Sequence, residues 1–310
     1  MNSHRPYWMF AALWVTGVLI WWPAVVSTIK LAIEQDAYQH MIVVLPISLG
    51  LIAIDWKRRK WDPKPGKGAG LAWIGVASLL GAAGFWWTRK GWSPGDVSLS
   101  LEMLAVVTWW IGSFLYCFGC RIVRGLIFPL AFLLWLVPLP EIVLNPIISL
   151  LQQGTASFAH FLLAVAGVPV VQAGTVLAIP GLTVRVAEEC SSIHSSMMLV
   201  VVSMALAYSL LRSFWGRTIV ILAAIPLAVA KNGLRVFTLA VLSAYVDPRI
   251  IDSPLHRQGG PLFLAVALGV VFVLIWSLVR LERKSTPAPG QEEDGSRPDR
   301  RRIVDAATCL

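Results

Sequence analysis

The sequence predicts an all-α protein, a polytopic membrane helical bundle of about eight transmembrane helices with a small outer hairpin before Cys190. Three observations predict it. Apolar runs of about 20 residues, the length that spans a bilayer core, recur along the chain. Only 14% of the 310 residues are charged and 57% are hydrophobic, whereas soluble domains carry about a quarter charged residues. The Lys and Arg behind the net charge of +9 sit in short clusters between the apolar runs, as positive-inside topology requires. That placement argues against nucleic acid as the partner of the positive charge and for membrane lipids.

The first span is expected over 7–29 and is followed by a loop over 30–39. The second covers about 40–55 and ends at Asp55-Trp-Lys-Arg-Arg-Lys60, a cytoplasmic cluster. Span three covers 69–87 and span four about 98–119, returning to Arg121 and Arg124. Span five covers about 122–137 and is stopped by Pro138-Leu-Pro140. In 141–167, Gln152, Gln153, Ser157 and His160 interrupt the apolar surface, which suggests an amphipathic or half-inserted outer helix. Residues 168–187 place β-branched residues between Gly174 and Pro180-Gly181 and read as a hairpin. Lipid cannot satisfy its backbone groups, so it belongs outside the bilayer or against protein. Spans six, seven and eight are expected at about 190–211, 218–245 and 261–279, which puts both termini in the cytoplasm. Residues 1–284 form the integral membrane domain, and 285–310 read as a disordered cytoplasmic tail. The 15 Trp residues suit interfacial anchoring. Of the four cysteines, Cys117 and Cys120 have CxxC spacing inside an apolar helix, where packing is the expected role.

Chemistry concentrates in Val186-Ala-Glu-Glu-Cys-Ser-Ser-Ile-His-Ser-Ser196. Cys190 falls at the start of span six, where a helix N-terminus favours thiolate. Glu188 and Glu189 oppose that unless a cation such as Arg185 or Arg235 neutralises them. Span seven carries Lys231-Asn232-Gly233-Leu234-Arg235, and ionisable residues inside a span are costly and face a partner or a cavity. Arg235 lies 18 residues beyond Arg217, about 27 Å along a helix, which is the depth expected of Cys190. His256 lies in the outer loop before Pro261. A thiol nucleophile needs a proton-carrying partner and a fixed positive donor for the oxyanion.

Glu189-Cys-Ser-Ser-Ile-His-Ser195, Asn232-Gly-Leu-Arg-Val236, and His256 followed by Gly-Gly and Phe263 resemble the Cys, Arg and His motifs of the exosortase/archaeosortase family. Tyr38-Gln-His40, Pro138-Leu-Pro140, and Gly167-Val-Pro with Gly174 are also similar to it, and the likeness covers roughly 38–281. The chain departs from the family pattern at Ser192, where Gly is frequent, and at His194, where Arg or another polar residue is more usual. His194 lies at i+4 from Cys190 and is a rival proton carrier; the resemblance favours His256. Cys190 and His194 alone do not make a metal site, so no metal and no cofactor are expected.

The resemblance implies a membrane-embedded cysteine protease or transpeptidase. Its partners would be exported proteins bearing a C-terminal motif, often Pro-Glu-Pro, then a hydrophobic helix and a basic end. The expected place of action is the outer, periplasmic face of a bacterial inner membrane, in a setting often associated with exopolysaccharide. In this reading Cys190 attacks, Arg235 stabilises the oxyanion and His256 carries the proton. Glu188, Glu189, Asn232, His194 and Ser191 support or position the substrate. The alternative is a transporter or assembly factor for exopolysaccharide export, in which Lys231, Arg235 and Glu188 would line a path.

Overall fold

The computed structural model describes residues 5–59, 61–89, 96–186, 193–247 and 260–285. The elements run α1 (Arg5–Ile20), α2 (Trp22–Glu34), α3 (Met41–Arg58), α4 (Lys67–Arg89), α5 (Asp96–Phe118), α6 (Cys120–Gly125), α7 (Ile127–Phe132) and α8 (Glu141–Val165). Three strands follow, β1 (Val171–Ala173), β2 (Val176–Ile179) and β3 (Leu182–Arg185), then α9 (Ile193–Leu210), α10 (Phe214–Tyr245) and α11 (Gly260–Ser285). The chain is therefore a multi-pass helical membrane protein. Among the described residues six helices are long and apolar enough to cross a bilayer, or seven with the bent α1–α2 pair taken as one span.

The expected count of eight differs for local reasons. The 7–29 run is two helices that meet at 77°. Pro23 has no N–H to offer the preceding turn, and its ring crowds the carbonyl four residues back. The helix beyond it continues to Glu34, so much of the expected 30–39 loop is helical. The 122–137 run is broken into α6, α7 and a 3-10 turn over Leu133–Leu136. Pro129 sits in this stretch, and its carbonyl accepts from Ser48 Oγ at 2.7 Å. The expected outer helix over 141–167 is α8, 25 residues long and apolar enough to cross a bilayer. Residues 286–310, most of the expected tail, lie outside the described residues.

The chain divides into two compact units. One comprises Met1–Ser27, Ser48–Val137 and Arg280–Leu310. In it α4 presents a stripe of Gly70, Ala77, Gly81 and Gly84 to its neighbours, the close-packing device of helices in lipid. Tryptophans here do more than anchor: Trp14 stacks on Trp110 at 4.9 Å, and Trp109 Nε1 donates to Leu13 O at 2.8 Å. Cys117 is buried among Phe114, Phe118, Ile122, Leu126 and Leu130, a packing role. Gly119 separates α5 from α6 at φ +85°. A Cβ there would lie 1.8 Å from Lys64 O, so no other residue fits.

The other unit comprises Thr28–Ile47 and Pro138–Val279. Its sheet has the order β1-β2-β3, antiparallel throughout. The expected hairpin has gained a third strand. Leu177, Ile179 and Val186 are buried with Ala156, Ala159 and Leu163 of α8 and Val236 and Ala240 of α10. The sheet thus sits against protein, where its backbone groups escape lipid.

Candidate functional site

The α9–α10 hairpin is tied at both ends by polar groups. At the connection, Ser213 accepts from Gly216 N and caps α10. Arg217 donates from Nε to Leu211 O at 3.0 Å and from Nη2 to Leu211 O at 2.8 Å and Tyr208 O at 3.3 Å. These are carbonyls that the end of α9 would otherwise leave unsatisfied.

At the far end, Ser195 and Ser196 lie in the first turn of α9. Lys231 Nζ donates to Ser195 Oγ, and Asn232 Nδ2 donates to Ser196 Oγ at 3.0 Å. Lys231, Asn232 and Arg235 are only 5%, 1% and 6% exposed. Arg235 follows Lys231 by four residues and shares its helix face. Burial within protein distinguishes it from an arginine that reaches past the bundle to headgroups.

On the neighbouring side Gly233 brings α8 close: a Cβ there would lie 2.7 Å from Phe158 Cδ1 and 3.2 Å from Thr155 O. One stretch of α10 therefore supplies a polar edge to α9 and a glycine contact to α8. A turn further on, Val236 and Ala240 pack with Val186.

The chain that runs from β3 into α9 is held to α10 on both sides of 187–192. Val186 packs near Val236, and its N–H bonds Thr175 O at 2.8 Å. Ser195 and Ser196 bond Lys231 and Asn232. Cys190, Glu188, Glu189, Ser191 and His256 lie outside the described residues, as does the side chain of His194, whose backbone opens α9. Arg185 is exposed at the end of β3.

Two upstream motifs also meet. Tyr38 Oη donates to Leu139 O at 2.8 Å, joining Tyr38-Gln-His40 to Pro138-Leu-Pro140. His40 is buried, with Nδ1 3.1 Å from Ala37 O. The turn over Asp36–Tyr38 packs against α9.

The sequence alone suggests no role for Ser195 and Ser196, and makes Lys231 a companion of Arg235 or, in the transport alternative, a path-lining residue. The signal was present: consecutive polar pairs, Ser195-Ser196 and Lys231-Asn232, interrupt two otherwise apolar helices.

Fold and seam together define a multi-pass membrane protein whose buried polar chemistry lies between helices. The family model described as transmembrane exosortase matches residues 21–273. The chain belongs to that family of membrane-embedded enzymes that process sorting signals. No curated protein and no solved structure matches it.

Proposed function

We propose that this protein is a cysteine peptidase or transpeptidase that cleaves the C-terminal sorting signals of exported proteins at the outer face of a bacterial inner membrane. The observation that carries the reading is the buried α9–α10 seam. It ties the first turn of α9, five residues after Cys190, to the helix stretch that bears Arg235. Val186 is tied to the same helix four residues before Cys190, so the thiol has no long linker on either side.

The substrate's apolar C-terminal helix docks among the spans and its motif emerges beside Cys190. The Cys190 thiolate adds to the scissile carbonyl. Arg235 offers the developing oxyanion a positive donor that cannot titrate away. Collapse breaks the C–N bond, and His256 protonates the leaving amine. Water or a cell-envelope amine then attacks the thioester, gives its proton to His256, and returns Cys190 to thiolate. Asn232 holds α9 through Ser196. Glu188 and Glu189 orient Arg235 or Arg185, and Ser191 and His194 contact the substrate or its motif.

The test is co-expression with a secreted reporter ending in a Pro-Glu-Pro motif, an apolar helix and a basic end. Wild-type enzyme is expected to shorten the reporter and to yield a Cys190-linked acyl adduct by mass spectrometry. Cys190→Ala is expected to accumulate the full-length reporter. Normal processing by Cys190→Ala would refute the assignment.

A further inference from the structure

Among the described residues β3 is an edge strand, and one side of its backbone has no strand beside it. The loop between β2 and β3 is the two residues Pro180-Gly181, closed by the pair Ile179 and Leu182. In a two-residue hairpin the closing pair exchanges hydrogen bonds, and hydrogen-bonded pairs then alternate. Leu182 and Val184 therefore direct N–H and C=O towards β2. The next member of that set is Val186, and its N–H does bond Thr175 O across the sheet.

Thr183 and Arg185 point their backbone groups the other way. Among the described residues no backbone group partners them. Their side chains are exposed, while Leu182 and Val184 pack against the buried cluster of α8 and α10. The strand is thus fixed by its inner face and open along its outer edge. Such an edge cannot face lipid, and its unpaired groups are a template for pairing with another strand.

Resting on the proposed function, we propose that this edge receives the substrate: the extended segment that precedes the substrate's apolar helix adds to the sheet as a fourth strand. The occupant follows from chain order. Arg185 lies five residues before Cys190, at most about 17 Å of chain, so a peptide paired with β3 lies within that reach of the proposed nucleophile. Backbone bonds to Thr183 and Arg185 hold it, and every second residue of the peptide takes part. The sheet is then the substrate-registering element of the enzyme, and it reads main chain, which leaves the side chains to be read elsewhere.

The test measures binding apart from turnover. Cys190→Ala protein in lipid nanodiscs is titrated with a fluorescent peptide. The peptide carries a Pro-Glu-Pro-containing extended segment, an apolar helix and a Lys-Arg end. A series places one backbone N-methyl group at each successive non-proline residue of the extended segment. Affinity is expected to fall about tenfold at alternate residues, the equivalent of one lost backbone bond of roughly 1.4 kcal/mol.

Thr183→Pro removes an outward N–H, which an edge strand tolerates. It is expected to weaken the unmodified peptide about tenfold, whereas Thr183→Ala keeps the N–H and binds as before. Losses without a two-residue period overturn the proposal. So does unchanged binding by Thr183→Pro, an equal loss in Thr183→Ala, or a Thr183→Pro effect confined to self-association of the enzyme. Alternating affinity without Cys190-dependent cleavage by the wild type would leave the strand pairing in place and refute the proposed function instead.

Discussion

Removing Ser195 is expected to cost more than removing Lys231. The two share one buried hydrogen bond, with Lys231 5% and Ser195 3% exposed. Ser195 Oγ is the acceptor that Lys231 Nζ has among the described residues. Ser195→Ala therefore leaves a buried Nζ without it, and a lost bond to such a group costs about 1.5–3 kcal/mol. Lys231→Met removes the polar head and keeps an unbranched apolar stem of similar length. The serine left behind carries only a small neutral hydroxyl, which costs less to leave without this partner than a charged ammonium does. That variant should stay within about 1 kcal/mol of wild type, since apolar replacement of a buried polar pair is often neutral. The double variant should resemble Lys231→Met, so the coupling equals the whole Ser195→Ala loss, about 1.5–3 kcal/mol. The assay is unfolding in mixed micelles with rising SDS, followed by tryptophan fluorescence and run on all four proteins. Additive losses, or a Lys231→Met loss exceeding that of Ser195→Ala, would refute the reasoning.

Three glycine substitutions test close packing, Gly119→Ala and its control Gly68→Ala in one unit and Gly233→Ala in the other. Gly119→Ala forces a Cβ to 1.8 Å from Lys64 O at φ +85°; it should cost more than about 3 kcal/mol. In the same unfolding assay Gly68→Ala, which meets nothing within 4 Å, should lie within about 0.5 kcal/mol of wild type. Gly233→Ala places a Cβ 2.7 Å from Phe158 Cδ1 and 3.2 Å from Thr155 O. It should cost about 1–3 kcal/mol and slow reporter processing, and adding Phe158→Leu should recover part of the loss if the clash is the cause.

The spans that could be read from sequence are those with unbroken apolar runs and basic ends: α3, α4, α5, α10 and α11. Hydropathy could not locate the bend at Trp21, because Pro23 changes direction without changing polarity. It likewise could not divide 120–136, where Gly119 and Pro129 act through backbone geometry. At α8 the signal was weakened instead. Gln152, Gln153 and Ser157 weaken its apolar signal, and the partners of its buried Ala156, Ala159 and Leu163, the sheet and α10, come from 15 to 80 residues away. Gln172 Nε2 in β1 donates to Ser157 Oγ at 3.3 Å. At the site, Arg235 and Asn232 were legible because a charged or amide side chain inside a span demands an explanation. Ser195 and Ser196 were not, since serine satisfies itself within a helix and gains meaning only from its partner.

The division of labour in α9 follows from its composition. Ile-His-Ser-Ser-Met-Met-Leu-Val-Val-Val-Ser-Met-Ala-Leu-Ala-Tyr-Ser-Leu is apolar on every side, so burial gives the helix no preferred rotation about its axis. In lipid the hydrophobic effect adds little, because tails are as apolar as leucine. What distinguishes one rotation from another is the set of polar contacts: Ser195 and Ser196 to α10 at one end, and Arg217 on the Tyr208 and Leu211 carbonyls at the other. A slip of one residue would turn the helix by about 100° and carry the chain entering it to another side. The rotation of α9, which follows Cys190 in the chain, is therefore set by residues outside the proposed chemistry. Substitutions at Ser195, Ser196, Lys231 or Asn232 that leave the protein folded should accordingly lower the rate of acyl transfer before they lower the amount of enzyme in the membrane.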